Sequence, residues 1–147
     1  MSKMAMEHKA INLSQGFPDF PVSQELIDLI HDRMKAGENQ YAPMPGVLAL
    51  RQIIASTIHQ SYQRHTDPET EVTVTAGGTE GLFSTIAGLI HQGDEVILFD
   101  PSYDSYDPAI RLNGGVPVPI NLVAPDFAID WDQVDSKITS KTRMIII

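Results

Sequence analysis

The stretch Glu71-Val-Thr-Val-Thr-Ala-Gly-Gly-Thr-Glu-Gly-Leu-Phe-Ser-Thr-Ile-Ala-Gly-Leu-Ile90 decides how the rest of the chain is read. Val72 and Val74 alternate with Thr73 and Thr75, the period-two pattern of a strand. Ala76-Gly77-Gly78-Thr79 is a tight turn, and Leu82, Phe83, Ile86 and Ile90 then recur at helical spacing up to a stop at Gly93. Small residues where a strand hands over to a helix let backbone N–H groups approach an anion. The helix dipole favours negative charge there, and the Thr79 hydroxyl is a further donor. A phosphate group is the natural ligand. A plain βα turn that uses its glycines only for geometry explains the spacing equally well.

No lysine follows the glycines, so this is not a Walker A loop. Gly78 and Gly81 match the last two glycines of a dinucleotide fingerprint, but Ala76 stands at the first. Asp100 ends the next strand, where a ribose-binding acid would sit, so a nucleotide site stays open as a competitor.

Towards the C-terminus, Val96-Ile97-Leu98-Phe99 is a continuous apolar run, as expected for a strand buried on both faces. Asp100-Pro101 ends it. A short helix is expected around Ala109 to Leu112, a strand at Val116 to Ile120, one helical turn at Asp132 to Lys137, and a last apolar strand at Met144 to Ile147. Strands alternating with helices imply crossover connections. The expected class is α/β: an N-terminal arm and helices, then part of a mostly parallel mixed sheet flanked by helices. A chain that stops on such a strand reads as truncated, with ligand-binding loops missing after it.

Towards the N-terminus, Asp67-Pro68 breaks the chain, and Val47, Leu50, Ile54, Ile58 and Tyr62 form one helical stripe. Glu38 to Gly46 reads as loop. An earlier helix has Ser23 as N-cap, Leu26, Ile27, Ile30 and Met34 on one face, and Gly37 as its stop. The first 22 residues read as an extended apolar arm, because Gly16, Pro18 and Pro21 interrupt any helix and Phe17 and Phe20 lack helical neighbours. Two domains follow: residues 1–38 as arm and first helix, and 39–147 as the start of a larger, truncated domain.

Composition narrows the partners. Ten Lys and Arg against nineteen Asp and Glu give a formal charge of −9, which argues against a nucleic-acid partner. Zero cysteines exclude disulfides, thiolate metal sites and cysteine nucleophiles. A hydrophobic share of 42% is that of a globular protein rather than a disordered one. No segment reaches the ~18 apolar residues of a membrane span. Met1 to Lys9 is polar and lacks the apolar core of a signal peptide, so the cytoplasm is the expected location.

Other chemistry has less support. Tyr103, in Asp100-Pro-Ser-Tyr-Asp-Ser-Tyr106, follows the buried strand at the ligand-binding edge of an α/β sheet and could stack on a heteroaromatic ring. Packing of Tyr103 and Tyr106 on the core is the competing role. Tyr41, on the Pro-rich loop, could offer its hydroxyl to a ligand or serve as a buried anchor. The five histidines show no metal-ligand spacing, and Asp126, Asp130, Asp132 and Asp135 read as a solvated acidic stretch, so no metal site is expected. No G-x-S-x-G element supports serine hydrolase chemistry.

Five stretches taken in order resemble a known family. They are Asn12-Leu-Ser-Gln-Gly-Phe-Pro-Asp-Phe20, Asn39-Gln-Tyr41 with Gly46, Val74-Thr-Ala-Gly-Gly-Thr-Glu-Gly-Leu82, Gly93-Asp-Glu-Val96 and Asp100 to Tyr106. The chain resembles the N-terminal part of a fold-type I, class I/II pyridoxal-phosphate-dependent aminotransferase, of the methionine and kynurenine branch. The resemblance implies the large domain of that transferase fold, incomplete, and pyridoxal 5'-phosphate as cofactor. It implies that Gly77, Gly78 and Thr79 hold the phosphate, that Tyr103 stacks on the pyridine ring, and that Tyr41 reaches the phosphate of a neighbouring subunit in a homodimer. Gly16 and Phe17 would line the substrate end. The family tolerates variation at the position of Gly78.

The implied reaction moves an amino group between an amino acid of methionine, glutamine or aromatic type and a 2-oxo acid. The Schiff-base lysine and the carboxylate-binding arginine would lie beyond residue 147. None of Lys3, Lys9, Lys35, Lys137 and Lys141 sits in the family's lysine context. No catalytic residue is therefore assigned, and the chain alone is expected to be inactive. The alternatives are a nucleotide-binding α/β domain of an oxidoreductase and a non-enzymatic truncated relative.

Overall fold

The computed structural model describes residues 1–14, 16 and 18–147. They form two compact units, Met1–Ala42 and Pro43–Ile147.

The first unit departs from a purely extended arm. Helix α1 spans Ser2–Glu7, because Lys3, Met4, Ala5 and Met6 are strong helix formers and Lys3 Nζ lies 3.8 Å from the Glu7 carboxylate one turn on. The glycine and prolines that forbid a helix begin only at Gly16, and residues 10–14 carry no regular structure. Helix α2 spans Gln24–Lys35, as the apolar spacing predicts. Ser23 precedes it but makes no side-chain cap bond. The Asn39 amide instead ties the far end, donating to the Met34 carbonyl at 3.0 Å.

The second unit opens with α3, Leu48–Tyr62. The expected strand at Val72–Thr75 does not form. Val72 is buried, but among the described residues the segment's backbone bonds only to the preceding loop, where the Val74 N–H donates to the Pro45 carbonyl at 3.0 Å. An extended segment without a partner strand has no ladder. Helix α4 then spans Gly78–Leu89, and β1, Glu95–Asp100, carries the apolar run. Helix α5 spans Tyr106–Leu112 and starts before the expected Ala109. Pro108 fits because a first-turn residue needs no N–H. Strand β2 is Val116–Asn121, α6 is Trp131–Lys137 and β3 is Thr142–Ile146.

The strands make one sheet in the order β2-β1-β3, and both pairings are parallel. The expected mixed character is absent among the described residues. Val96 and Leu98 of β1 face one cluster with Ile86, Ile90, Ala109 and Ile110, supplied by α4, its C-terminal flank and α5. Ile97 and Phe99 face a second cluster with Ile120 and Val134, the latter from α6. Helices on both faces explain why β1 shows no polar alternation. Crossovers through α5 and α6 on opposite faces leave β1 at the point where the chain changes direction across the sheet. Ligands of open α/β sheets bind outside the carboxyl ends of strands at such a point.

Candidate functional site

The turn before α4 is shaped by three local contacts. Gly77 has φ +103°, a left-handed backbone that a side chain would strain. The Thr75 hydroxyl donates to the Gly77 carbonyl at 3.0 Å, and Gly81 leaves room for it, since a Cβ there would come 3.2 Å from Thr75 Oγ1. The Glu80 carboxylate, in the first turn of α4, accepts from the Ala76 N–H. The acid thus reaches back to the turn as in a capping box. Neither Thr75 nor Glu80 stood out in the sequence, although a glutamate at the third helical position is the usual trace of such a contact.

What remains open is the outer face of the turn. Among the described residues, the N–H groups of Gly78 and Thr79 have no acceptor, as expected for a helix start. A Cβ at Gly77 or Gly78 would meet nothing within 4 Å. The Thr79 hydroxyl lies 3.4 Å from the Tyr103 hydroxyl, so the turn and the loop after β1 converge at the sheet's carboxyl edge. Tyr103 is half exposed, and its ring meets Tyr106 edge-on at a centroid distance of 5.7 Å. Both roles weighed for it are thus structurally open: one edge packs on the loop while part of the ring faces out. Hydrogen bonds from the Thr79 hydroxyl and then Ser105 hold the Tyr103 phenol below the usual tyrosine range, because they favour its ionised form.

These groups fit a phosphorylated heteroaromatic cofactor: two side-chain-free residues, unpaired N–H donors, a hydroxyl, and an aromatic ring tied to that hydroxyl. Thr79 also borders a cavity of about 290 Å³ with Leu82, Phe83, Ser105, Pro108 and Ala109.

The other expected site residues belong to the first unit. Tyr41 is fully exposed there, which removes the buried-anchor role within that unit. Gly16 is exposed as well, and Phe17 lies outside the described residues. Asp130 accepts from the Asp132 and Gln133 N–H groups and caps α6, giving one member of the acidic stretch a structural task. No group of three or more metal-type ligands occurs among the described residues. No described helix is long and apolar enough to cross a membrane.

Comparison with known proteins gives this geometry a context. The family model described as Aminotransferase class I and II matches residues 8–147. Methionine aminotransferase of Escherichia coli (strain K12) is 47% identical over 147 residues, covering 100% of this chain and 38% of that protein. Kynurenine--oxoglutarate transaminase 3 of Mus musculus is 36% identical over 157 residues, covering 99% of this chain and 34% of that protein. The solved structure of N-succinyldiaminopimelate aminotransferase from Mycobacterium tuberculosis superposes with a TM-score of 0.92 at 41% identity, covering 100% of this chain and 39% of that one. The chain thus spans a little over a third of the length of the curated relatives it matches.

Proposed function

Since the chain belongs to the class I and II aminotransferases, we propose that it supplies the phosphate cup and ring-stacking face of a pyridoxal-phosphate-dependent enzyme that moves an amino group between an amino acid and a 2-oxo acid. The observation that carries this is the Thr79 hydroxyl, which lies 3.4 Å from the Tyr103 hydroxyl and belongs to the same helix start as the unpaired N–H groups of Gly78 and Thr79. The similarity to a methionine aminotransferase favours methionine among the methionine, glutamine and aromatic amino acids considered. The nucleotide-binding reading is not favoured by the family match.

When bound, pyridoxal phosphate would withdraw electrons from the substrate Cα. The tasks of this chain are binding and orientation. Gly77, Gly78 and Thr79 would hold the phosphate dianion through N–H groups and a hydroxyl, helped by the α4 dipole. Tyr103 would cover one face of the ring, and its contact with Thr79 would fix the ring relative to the phosphate. Tyr41 of a second copy would add its exposed hydroxyl, making the enzyme a homodimer with shared sites. Gly16 and Phe17 would line the substrate end. Residues 1–38 would belong to the small domain and 39–147 to the cofactor-binding domain of a cytoplasmic enzyme.

Lys141 lies at the amino end of β3 and Lys137 ends α6 just before it, at the opposite edge of the sheet from the cup. Lys3, Lys9 and Lys35 of the first unit also lie outside the family's lysine context, so the 147-residue chain should not turn over alone. Equilibrium dialysis against pyridoxal phosphate and, separately, NAD tests the binding role. Preferential binding of NAD, or pyridoxal phosphate binding unaffected by Gly77→Ala with Thr79→Val, would sink it. Measurable transamination by the purified 147-residue chain would refute its predicted inactivity.

A further inference from the structure

Arg51 is the one charged residue classed as buried among the described residues, at 7% exposure. It sits in α3 on the face of Val47 and Ala55, where helical spacing calls for an apolar side chain. A buried guanidinium is costly unless its donors are satisfied. Here it makes no salt bridge among the described residues. Its donors go to backbone carbonyls: Nε to Gly46 at 3.1 Å, and Nη1 to Pro68 at 2.6 Å and Glu69 at 3.4 Å.

Those carbonyls come from two separate segments. Gly46 belongs to the loop that leads into α3. Pro68 and Glu69 belong to a turn closed on itself by Asp67, whose carboxylate accepts from the Glu69 N–H and the Thr70 hydroxyl, each at 2.8 Å. The two segments meet again one step further on. The Val74 N–H donates to the Pro45 carbonyl, and Gly46 lies so close to Val74 that a Cβ would come within 2.8 Å of its side chain. The segment from Glu71 to Ala76 has no sheet ladder to hold it. Among the contacts that fix it are the clasp and the Asp67–Glu71 hydrogen bonds at its start, the Pro45–Val74 contact along it, and the Thr75 and Glu80 contacts at its end.

We propose that Arg51 is a positioning residue for the phosphate cup. It touches neither cup nor ligand. By joining the carbonyls of Gly46, Pro68 and Glu69, it sets the track along which Val72–Thr75 delivers Gly77, Gly78 and Thr79 to the start of α4. The inference rests on the phosphate-cup reading above.

The test is the preference of the full chain for pyridoxal phosphate over pyridoxal, which lacks the phosphate. Arg51→Met removes the clasp. Arg51→Lys keeps the charge, but a single ammonium cannot span both segments. Ala55→Gly, also buried in α3, lowers stability without touching the clasp. We expect the affinity ratio of the two ligands to fall about tenfold in Arg51→Met and Arg51→Lys, and to stay at the wild-type value in Ala55→Gly. If Arg51→Met does not accumulate as folded protein, Arg51→Lys alone carries the test. A wild-type ratio in a folded Arg51 variant, or an equal fall in Ala55→Gly, would overturn the proposal and leave the cup intact. A wild-type chain that binds both ligands equally would overturn the cup reading and this inference with it.

Discussion

Helices α2 and α4 each have twelve residues and an apolar stripe, yet they have opposite fates. The stripe of α4 reaches the core, where Ile86 is 1% exposed. The stripe of α2 stays in the open, with Ile30 at 52% and Met34 at 60%. No residue of Met1–Ala42 is classed as buried among those described, whereas Pro43–Ile147 holds two clusters on the two faces of its sheet. Helical periodicity therefore says that a segment is amphipathic, and not what will cover it. A helix of twelve residues has little stability of its own in water, so the two units should respond very differently to substitution.

The largest contrast should come from truncating apolar side chains. Ile97→Ala, at a fully buried position, should cost about 2–5 kcal/mol in urea denaturation. Ile30→Ala should stay within ~0.5 kcal/mol, as an exposed change does. An Ile30→Ala cost comparable to that of Ile97→Ala would show that the α2 face is covered in solution.

Gly46→Ala should come next. It forces a side chain onto a backbone at φ +96° and into contact with Val74, so a loss of about 1–3 kcal/mol is expected in the same assay. Gly37 has a positive φ too, but open space around it, so Gly37→Ala should cost less than Gly46→Ala.

Helix caps give a smaller pair. Asp130→Ala removes an acceptor used by two N–H groups and should cost ~1 kcal/mol, while Ser23→Ala removes a side chain that makes no cap bond and should cost only a few tenths. Equal costs would mean that Ser23 caps α2 after all.

The smallest effect concerns Tyr103. Ultraviolet titration, with Tyr103→Phe subtracted, should place its phenol below the ordinary value of 10.0, and Thr79→Val should move it upward. The sign follows from an acid whose folded pKa is lowered: its stabilising contribution is complete above the unfolded value and fades as pH falls through the folded one. The extra stability that the ionised phenol gains from Thr79 should therefore appear only as pH rises through the folded pKa. An unchanged titration in Thr79→Val would remove that bond from the description of the site.

Most of the second unit was legible in the sequence, for identifiable reasons. The apolar run Val96–Phe99, set between the stop at Gly93 and Asp100-Pro101, has the length of a strand covered on both faces, and β1 is one. The run at Met144–Ile147 joins a strand too, up to Ile146, but Ile145 is left exposed. Two glycines between alternating and helical periods mark the turn at Gly77. The strand expected at Val72–Thr75 failed because alternation reports a half-buried extended chain and says nothing of a partner. Arg51 was invisible for a related reason: charge on an apolar stripe looks like an irregularity until the carbonyls it serves are known. Thr75 and Glu80 act through backbone groups that no side-chain pattern reports. In the first unit, the short helix at Ser2–Glu7 was hidden by a glycine and prolines that begin only at Gly16.

The prolines of β2 carry a further consequence. Pro117 and Pro119 stand opposite Val96 and Leu98 of β1, and their missing N–H groups fall on the strand's outer side. Among the described residues the β2 margin of the sheet is thus unable to take a full set of bonds from a further strand. A further strand laid along the outer side of β2 would find acceptors without their donors, so this margin resists strand-to-strand association whatever else surrounds it.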